Sequence, residues 1–216
     1  MSRPTTFPTA RIVNRGFRLF AGLLATLVLS GPLAPAQAGP FTAVAPLAPQ
    51  PTPDVIKPGL AVTYLFDKFY TLDELYKVSV PPIKGKPIPN LDQLTETDPV
   101  TKEDKIINVL TTDQDMMVGA FIRGMIHFEV AGNHVLHLVT NDGARFWVGG
   151  VQIWEDPEIH FDRESDPLEL VIGEPGWYEL KIDYYQKKGT HALQLLWTPP
   201  GGEKTVVPPE ALGHLE

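Results

Sequence analysis

The sequence predicts an all-β protein built as an antiparallel β-sandwich. From residue 116 onward, short segments of alternating apolar and polar residues follow one another closely. The breaks between them are hairpin-type turns such as Asn141-Asp142-Gly143 and Gly149-Gly150. No heptads, internal repeats or long helical periods compete with this pattern, so we expect two packed antiparallel sheets.

Residues 1–38 are predicted to be a secretory signal peptide. They hold four arginines and no acidic residue, an apolar stretch over 19–29, and a small-x-small end at Ala36-Gln37-Ala38. The apolar stretch is shorter than the roughly 20 residues that a membrane-spanning helix needs, so an uncleaved anchor is the less favoured alternative. We therefore expect cleavage after Ala38 and no stable membrane span afterwards.

Composition limits the possible cellular locations and binding partners of the mature protein. Removing 38 of the 216 residues leaves 178, enough for one domain, and the loss of four arginines takes the formal charge from −8 to −12. This acidic balance disfavours nucleic acid as a partner. Because the chain has no cysteine, its stability must come from a buried core without disulfides. We predict a secreted or periplasmic protein of the bacterial envelope.

Residues 39–58 are predicted to be a proline-rich linker that precedes a single domain over 59–216. Prolines recur through the segment with alanine, threonine and glutamine between them, a composition typical of extended chain without a core. The segment is expected to act as a tether, and a solvated leader without a role is the alternative.

The first half of the predicted domain contains one clear strand. Residues 60–66 form a β-rich segment, and residues 73–76 are predicted to form a short helical turn. Residues 79–105 hold five prolines among many charges, which predicts a long surface loop, either a functional flap or poorly ordered.

The second half contains the regular pattern. Leu136 and Leu138 are expected to share one strand face, and Phe146 and Val148 another. The predicted strands cover residues 116–122, 125–130, 134–140, 144–148, 151–154, 168–172, 177–185 and 192–198.

Several short motifs, in a fixed order, carry a resemblance to a known family. They are the Gly59-to-Tyr64 opening, the Gly119-to-Gly124 segment, the NDGARFWVGG hairpin from Asn141, the Pro175-to-Trp177 turn, LQLLWTPPGG, and the ending at 207–212. With them the chain resembles the PA14 domain family, the lectin-like β-sandwich domain named after the anthrax protective antigen. The resemblance implies the same sandwich fold.

The resemblance also implies a metal site at the Asn141-Asp142 turn. In the family's sugar-binding adhesins, consecutive aspartates at this place are joined by a cis peptide and hold a calcium that contacts sugar hydroxyls. The implied cofactor is calcium, with Asn141 and Asp142 as its ligands. This chain has Asn141 in place of the first aspartate and Val148-Gly149-Gly150 in place of Ile-Asp-Gly. The alternative is that Asn-Asp-Gly is only a hairpin turn.

Two tryptophans near this turn are candidates for sugar stacking. Sugar sites combine an aromatic face with polar groups for the hydroxyls. Trp147 lies on the strand face opposite Phe146, and Trp154 ends the next strand, so we expect either to be exposed near the turn. The predicted carbohydrate-binding residues are therefore Asn141, Asp142, Trp147 and Trp154, with partial burial of each tryptophan as the alternative.

These patterns predict an exported, non-catalytic binding module that recognises a carbohydrate or cell-envelope glycan at the loop end of the domain. The alternative is a structural or assembly domain that docks on an envelope protein without binding sugar. No nucleophile elbow, zinc-protease motif or phosphate loop is present, so an enzyme is the least favoured possibility.

Overall fold

The computed structural model of the protein describes residues 40–97, 101–105 and 107–216. These residues form sixteen β-strands and two 3₁₀ helices, Leu72–Tyr76 and Pro209–Ala211. The predicted signal peptide lies outside the described residues. Among those that are described, no helix is long and apolar enough to cross a membrane.

Strands β1 to β8 are Lys57–Pro58, Ala61–Phe66, Ile83–Lys84, Asp92–Leu94, Glu96–Thr97, Asp104–Lys105, Val118–Phe128 and Gly132–Asn141. Strands β9 to β16 are Ala144–Val148, Val151–Asp156, Arg163–Glu164, Leu168–Ile172, Gly176–Gln186, Ala192–Thr198, Thr205–Val206 and Leu212–His214.

Two antiparallel sheets form the sandwich. The larger sheet has eight strands in the order β1-β16-β7-β13-β9-β10, with β2 also paired to β7 and β3 paired to β2. The smaller sheet has six strands in the order β11-β8-β14-β15, with β12 also paired to β8 and β4 to β14. Strands β5 and β6 form a separate two-stranded ribbon. The predicted all-β antiparallel sandwich is confirmed.

The main core fills the space between the two sheets. Leu136 and Leu138 of β8 point into it from the smaller sheet, and Phe146 and Val148 of β9 from the larger one, as alternation predicts. Tyr184 and Ile182 of β13 lie in the same core and are fully buried. Burial of this apolar surface is the main stabilising contribution in a chain without disulfides.

A smaller cluster lies under the first 3₁₀ helix. Leu72 and Leu75 of that helix pack with Phe69 and Tyr185. The Leu72 N–H donates to the Pro157 carbonyl at 3.1 Å, and the Tyr185 hydroxyl also donates to Pro157. The helical turn predicted over 73–76 is therefore present, and it holds the start of the loop after β10.

Strand β7 corrects the prediction of two separate strands over 116–122 and 125–130. Residues 118–128 form one continuous strand that pairs with β13 along its whole length. Gly124 is not a turn residue: a Cβ there would lie 2.5 Å from the Gly213 carbonyl oxygen and 2.6 Å from Leu60 Cδ2. The glycine allows β16 to approach β7 closely.

The long surface loop predicted over 79–105 is partly built into the sandwich. Ile83–Lys84 pairs with β2 in the larger sheet, and Asp92–Leu94 pairs with β14 in the smaller one. Ile88 and Leu91 between them are buried in the main core. The described prolines of this segment, at positions 81, 82, 87 and 89, lie between the strands, so no strand loses a main-chain donor to them.

Residues 40–58 lie against the sandwich, so the expectation of a free tether is wrong for this segment. The Phe41 N–H donates to Glu169 in β12, and the Leu47 N–H donates to Trp177 in β13, at 2.7 and 2.8 Å. The Val44 side chain is buried in the main core. Composition alone missed these contacts because a proline-rich chain can dock on a sheet through its remaining N–H groups.

Candidate functional site

The Asn141-Asp142-Gly143 turn joins β8 to β9 at one end of the sandwich. The Asn141–Asp142 peptide bond is cis. Gly143 is packed so tightly that a Cβ would lie 2.7 Å from both the Asp156 carbonyl oxygen and the Tyr185 ring. Its carbonyl accepts from the Tyr185 N–H at 3.0 Å. Neighbouring strands thus fix the position of the whole turn.

The Asn141 side chain links the turn to the loops on both sides. Its Nδ2 donates to Asp162 Oδ1 at 2.8 Å and to Thr190 Oγ1 at 3.1 Å. Asp162 follows β10, and Thr190 lies between β13 and β14. The Asn141 main-chain carbonyl accepts from the buried Tyr184 hydroxyl at 2.7 Å. The Asn141 side-chain amide therefore links its own turn to the loop that contains Asp162 and to the loop that contains Thr190.

The Asp142 carboxylate makes equivalent links through main-chain donors. Oδ1 accepts from the His160 N–H at 3.3 Å, and Oδ2 accepts from the Lys187 N–H at 2.8 Å. The residue is only 3% exposed. Burial raises the pKa of Asp142, and the two main-chain donors oppose that rise because they stabilise the ionised form. Asp142 thus faces the protein interior and anchors two loops.

A cavity of about 530 Å³ opens beside this turn. Its size falls in the range of about 300–1,000 Å³ that is typical of small-ligand sites. The lining residues are Asn141, Asp142, Ile159, His160, Phe161, Lys187, Lys188, Gly189 and Thr190. The cavity is thus formed by the turn and by the two loops that the turn holds.

Phe161 is the most exposed large apolar residue in the described part of the chain, at 88%. Ile159, two residues earlier, is also exposed. An aromatic ring at the surface of a cavity offers a face to an apolar ligand surface. Sequence patterns did not single out Phe161 because it follows no strand alternation, and its exposure depends on how the loop is anchored.

Neither predicted tryptophan belongs to the lining of this cavity. Trp147 is half-buried on the outer face of the larger sheet, where the Arg145 guanidinium lies 5.9 Å from its ring centre. Trp154 is half-buried and packs against the main core. The structure therefore brings Asn141 and Asp142 together at the cavity and leaves Trp147 and Trp154 outside it. A role of either tryptophan in sugar binding stays a prediction.

The oxygen atoms at the turn do not fit a calcium ion in the arrangement found. Calcium takes six to eight oxygen ligands. Each Asp142 oxygen already accepts a main-chain N–H, and Asn141 presents its Nδ2 to Asp162. Over the described ranges, no three acidic or histidine side chains are grouped as metal ligands. Calcium binding by Asn141 and Asp142 stays a prediction.

The comparisons with known proteins agree with the observed architecture. The model of the PA14 domain family matches residues 57–211. A curated relative, the anti-sigma-I factor RsgI3 of Acetivibrio thermocellus, is 26% identical over 92 residues. That match covers 41% of this chain and 14% of the relative, so the chain spans a small part of the relative's length.

Two solved structures share the fold at low sequence identity. The PA14 domain of the MpAFP antifreeze protein has a TM-score of 0.57 and 16% identity, with 76% of this chain and 94% of that chain covered. The epithelial adhesin 9 A domain of Candida glabrata was solved in complex with Galβ1-3GlcNAc. It has a TM-score of 0.59 and 13% identity, with 82% of this chain and 96% of that chain covered. The neighbours thus include a domain solved with a bound sugar, and an anti-sigma factor domain-containing protein is also among them.

Proposed function

Because this chain belongs to the PA14 domain family, we propose that it is an exported, non-catalytic module that binds carbohydrate in the cavity beside the Asn141–Asp142 turn. Its ligand is a free carbohydrate or a cell-envelope glycan. The single observation that carries the proposal is the cavity of about 530 Å³ with the exposed Phe161 ring at its surface.

The lining offers the two kinds of contact that sugar recognition needs. The Phe161 ring provides a face for the C–H surface of a pyranose, with Ile159 beside it. Polar groups for the hydroxyls come from Thr190, Lys187 and Lys188. Asn141 and Asp142 act as positioning residues that hold these loops in place.

Comparing Phe161→Ala with Trp147→Ala tests where the sugar binds. We expect Phe161→Ala to weaken glycan binding roughly tenfold or more, because burying a Phe side chain against a ligand contributes about 1.5–3 kcal/mol. Trp147→Ala, on the outer face of the larger sheet, is expected to leave binding within about twofold. Binding is measured on a glycan array and then by calorimetry with the best ligand.

The array result also separates the two functions considered. Loss of binding in Trp147→Ala but not in Phe161→Ala would move the site to the outer face of the sheet. No binding to any glycan of the array would contradict the carbohydrate proposal and favour the alternative, a structural or assembly domain on an envelope protein.

Chelation tests the contribution of calcium. Since the Asp142 oxygens are occupied by main-chain donors, we expect glycan affinity to change by less than about twofold when a chelator replaces millimolar calcium. Calorimetric titration with calcium chloride measures metal uptake directly. Binding that disappears with chelator and returns with calcium would contradict this expectation and support the ligand set implied by the family.

A further inference from the structure

We propose that the carbohydrate bound in this cavity is acidic and carries the carboxylate of a uronic acid unit beside Lys187 and Lys188. The inference rests on the proposed function, because it assigns the ligand class of the same cavity. Two observations support it: the lining contains two lysines, and the carboxylates next to the cavity already accept hydrogen bonds from protein donors.

The charged groups that the lining offers to a ligand are cationic. Lys187 and Lys188 both line the cavity, and within the part of the chain that the structure describes neither forms an ion pair with a carboxylate. Among the described residues that line the cavity, Asp142 is the one with an acidic side chain, and it is buried. The described lining therefore offers a ligand two lysines that have no carboxylate partner within ion-pair distance.

The two carboxylates nearest the turn are directed to protein donors. Both oxygens of Asp142 accept main-chain N–H groups. Asp162 does not line the cavity, and its Oδ1 accepts from the Asn141 amide. Their negative charge is thus partly compensated by hydrogen bonds to the turn and to the neighbouring loops.

Lys187 is held in position at both ends. Its N–H donates to Asp142, and its Nζ lies 4.2 Å from the centre of the Tyr70 ring. A cation held over an aromatic face loses part of its freedom before a ligand arrives. Such a fixed cation loses less entropy when it pairs with a carboxylate than a freely rotating lysine does.

The local charge is opposite to that of the whole chain. The protein has a formal charge of −8, so an acidic glycan is repelled at long range by most of its surface. Three lysines elsewhere in the described chain pair with glutamates: Lys181 with Glu179 at 2.9 Å, Lys57 with Glu216 at 3.9 Å, and Lys204 with Glu164. The cavity lysines therefore favour an anion through short-range contact, which salt weakens less than long-range steering.

The experiment compares each acidic sugar with its neutral counterpart. Calorimetry is performed with oligosaccharides of glucuronate, galacturonate and mannuronate and with the same oligosaccharides after carboxyl reduction. We expect at least one uronate oligosaccharide to bind about tenfold tighter than its reduced form, as charge-assisted hydrogen bonds predict.

Matched lysine variants connect that preference to the cavity. Lys187→Gln and Lys188→Gln are each expected to weaken uronate binding about threefold to tenfold and to change binding of the reduced sugar by less than about twofold. Lys181→Gln is the control, because Lys181 lies on the outer face of the larger sheet and is already paired. Circular dichroism checks that each variant is folded.

The outcomes distinguish this inference from the function on which it rests. If reduced and acidic forms bind equally, or if the lysine variants weaken both equally, the acidic specificity is overturned while carbohydrate binding stands. If neither form binds and the broader array is silent, both are overturned. A uronate preference that only Lys181→Gln removes places the acid site elsewhere and overturns the inference.

Discussion

Asp142 contributes to the site by holding loops, since its carboxylate faces main-chain N–H groups of His160 and Lys187. Asn141 does the same through Asp162 and Thr190. Two adjacent side chains therefore link three segments that are distant in sequence. The exposed parts of those segments, Phe161 and the two lysines among them, are the groups that meet a ligand.

Asp142→Ala is expected to lower the free energy of unfolding by about 2–4 kcal/mol, because it leaves two main-chain donors near the cavity without a partner. Asp162→Ala is the matched control with a cost of less than about 1 kcal/mol, since Asp162 is exposed and the Asn141 amide keeps Thr190. Urea denaturation measures both variants. Equal costs for the two would contradict the anchoring role of Asp142.

The sequence pattern identified the turn residues but not the residues that face the cavity. Asn141 and Asp142 could be singled out because an Asn-Asp-Gly turn between two alternating strands is a strong local signal. Phe161 lies in a segment without periodicity, and its exposure depends on hydrogen bonds to a turn about twenty residues away in sequence. Trp147 and Trp154 are half-buried and lie outside the cavity lining, and the sequence could not show this because alternation defines a strand face without defining what covers it.

The strands in the second half of the chain follow the predicted pattern closely, because both sheets bury one face and alternation then fixes the register. The observed strands differ from the predicted ones where a residue or segment also makes a contact that the alternation pattern does not show. Gly124 resembles a strand break but permits the contact between β7 and β16. Residues 79–105 resemble a loop but supply edge strands to both sheets.

Gly124→Ala is expected to lower the free energy of unfolding by about 1–3 kcal/mol, since the new Cβ would overlap the Gly213 carbonyl and Leu60. Gly173→Ala is the control: a Cβ there meets no atom within 4 Å, so stability is expected to change by less than about 0.5 kcal/mol. Thermal and urea unfolding measure both. A Gly124→Ala protein as stable as the parent would show that the approach of β16 to β7 is not close.

At the scale of the whole molecule, the sandwich is a rigid support that presents three loops at one end. The core between the sheets fixes β8, β9, β13 and β14, and these strands deliver the turn and the loop of residues 187–191 to the same place. The smaller cluster around Tyr185 holds the loop after β10. A binding site on such loops can vary its chemistry while the support stays the same.

Docking of residues 40–58 makes the folded unit larger than the family match over 57–211. The segment contacts β12 of the smaller sheet through Phe41 and β13 of the larger sheet through Leu47. It therefore joins the two sheets at one side of the sandwich, and Val44 adds to the core there.

Backbone amide chemical shifts during a glycan titration test the central claim most directly. With a ligand chosen from the array, the largest shifts are expected in residues 159–161 and 187–190, which line the cavity. Small shifts are expected on β9 around Trp147. Shifts centred on that outer face, or a saturable titration that leaves 159–161 and 187–190 unmoved, would contradict recognition of carbohydrate beside the Asn141–Asp142 turn.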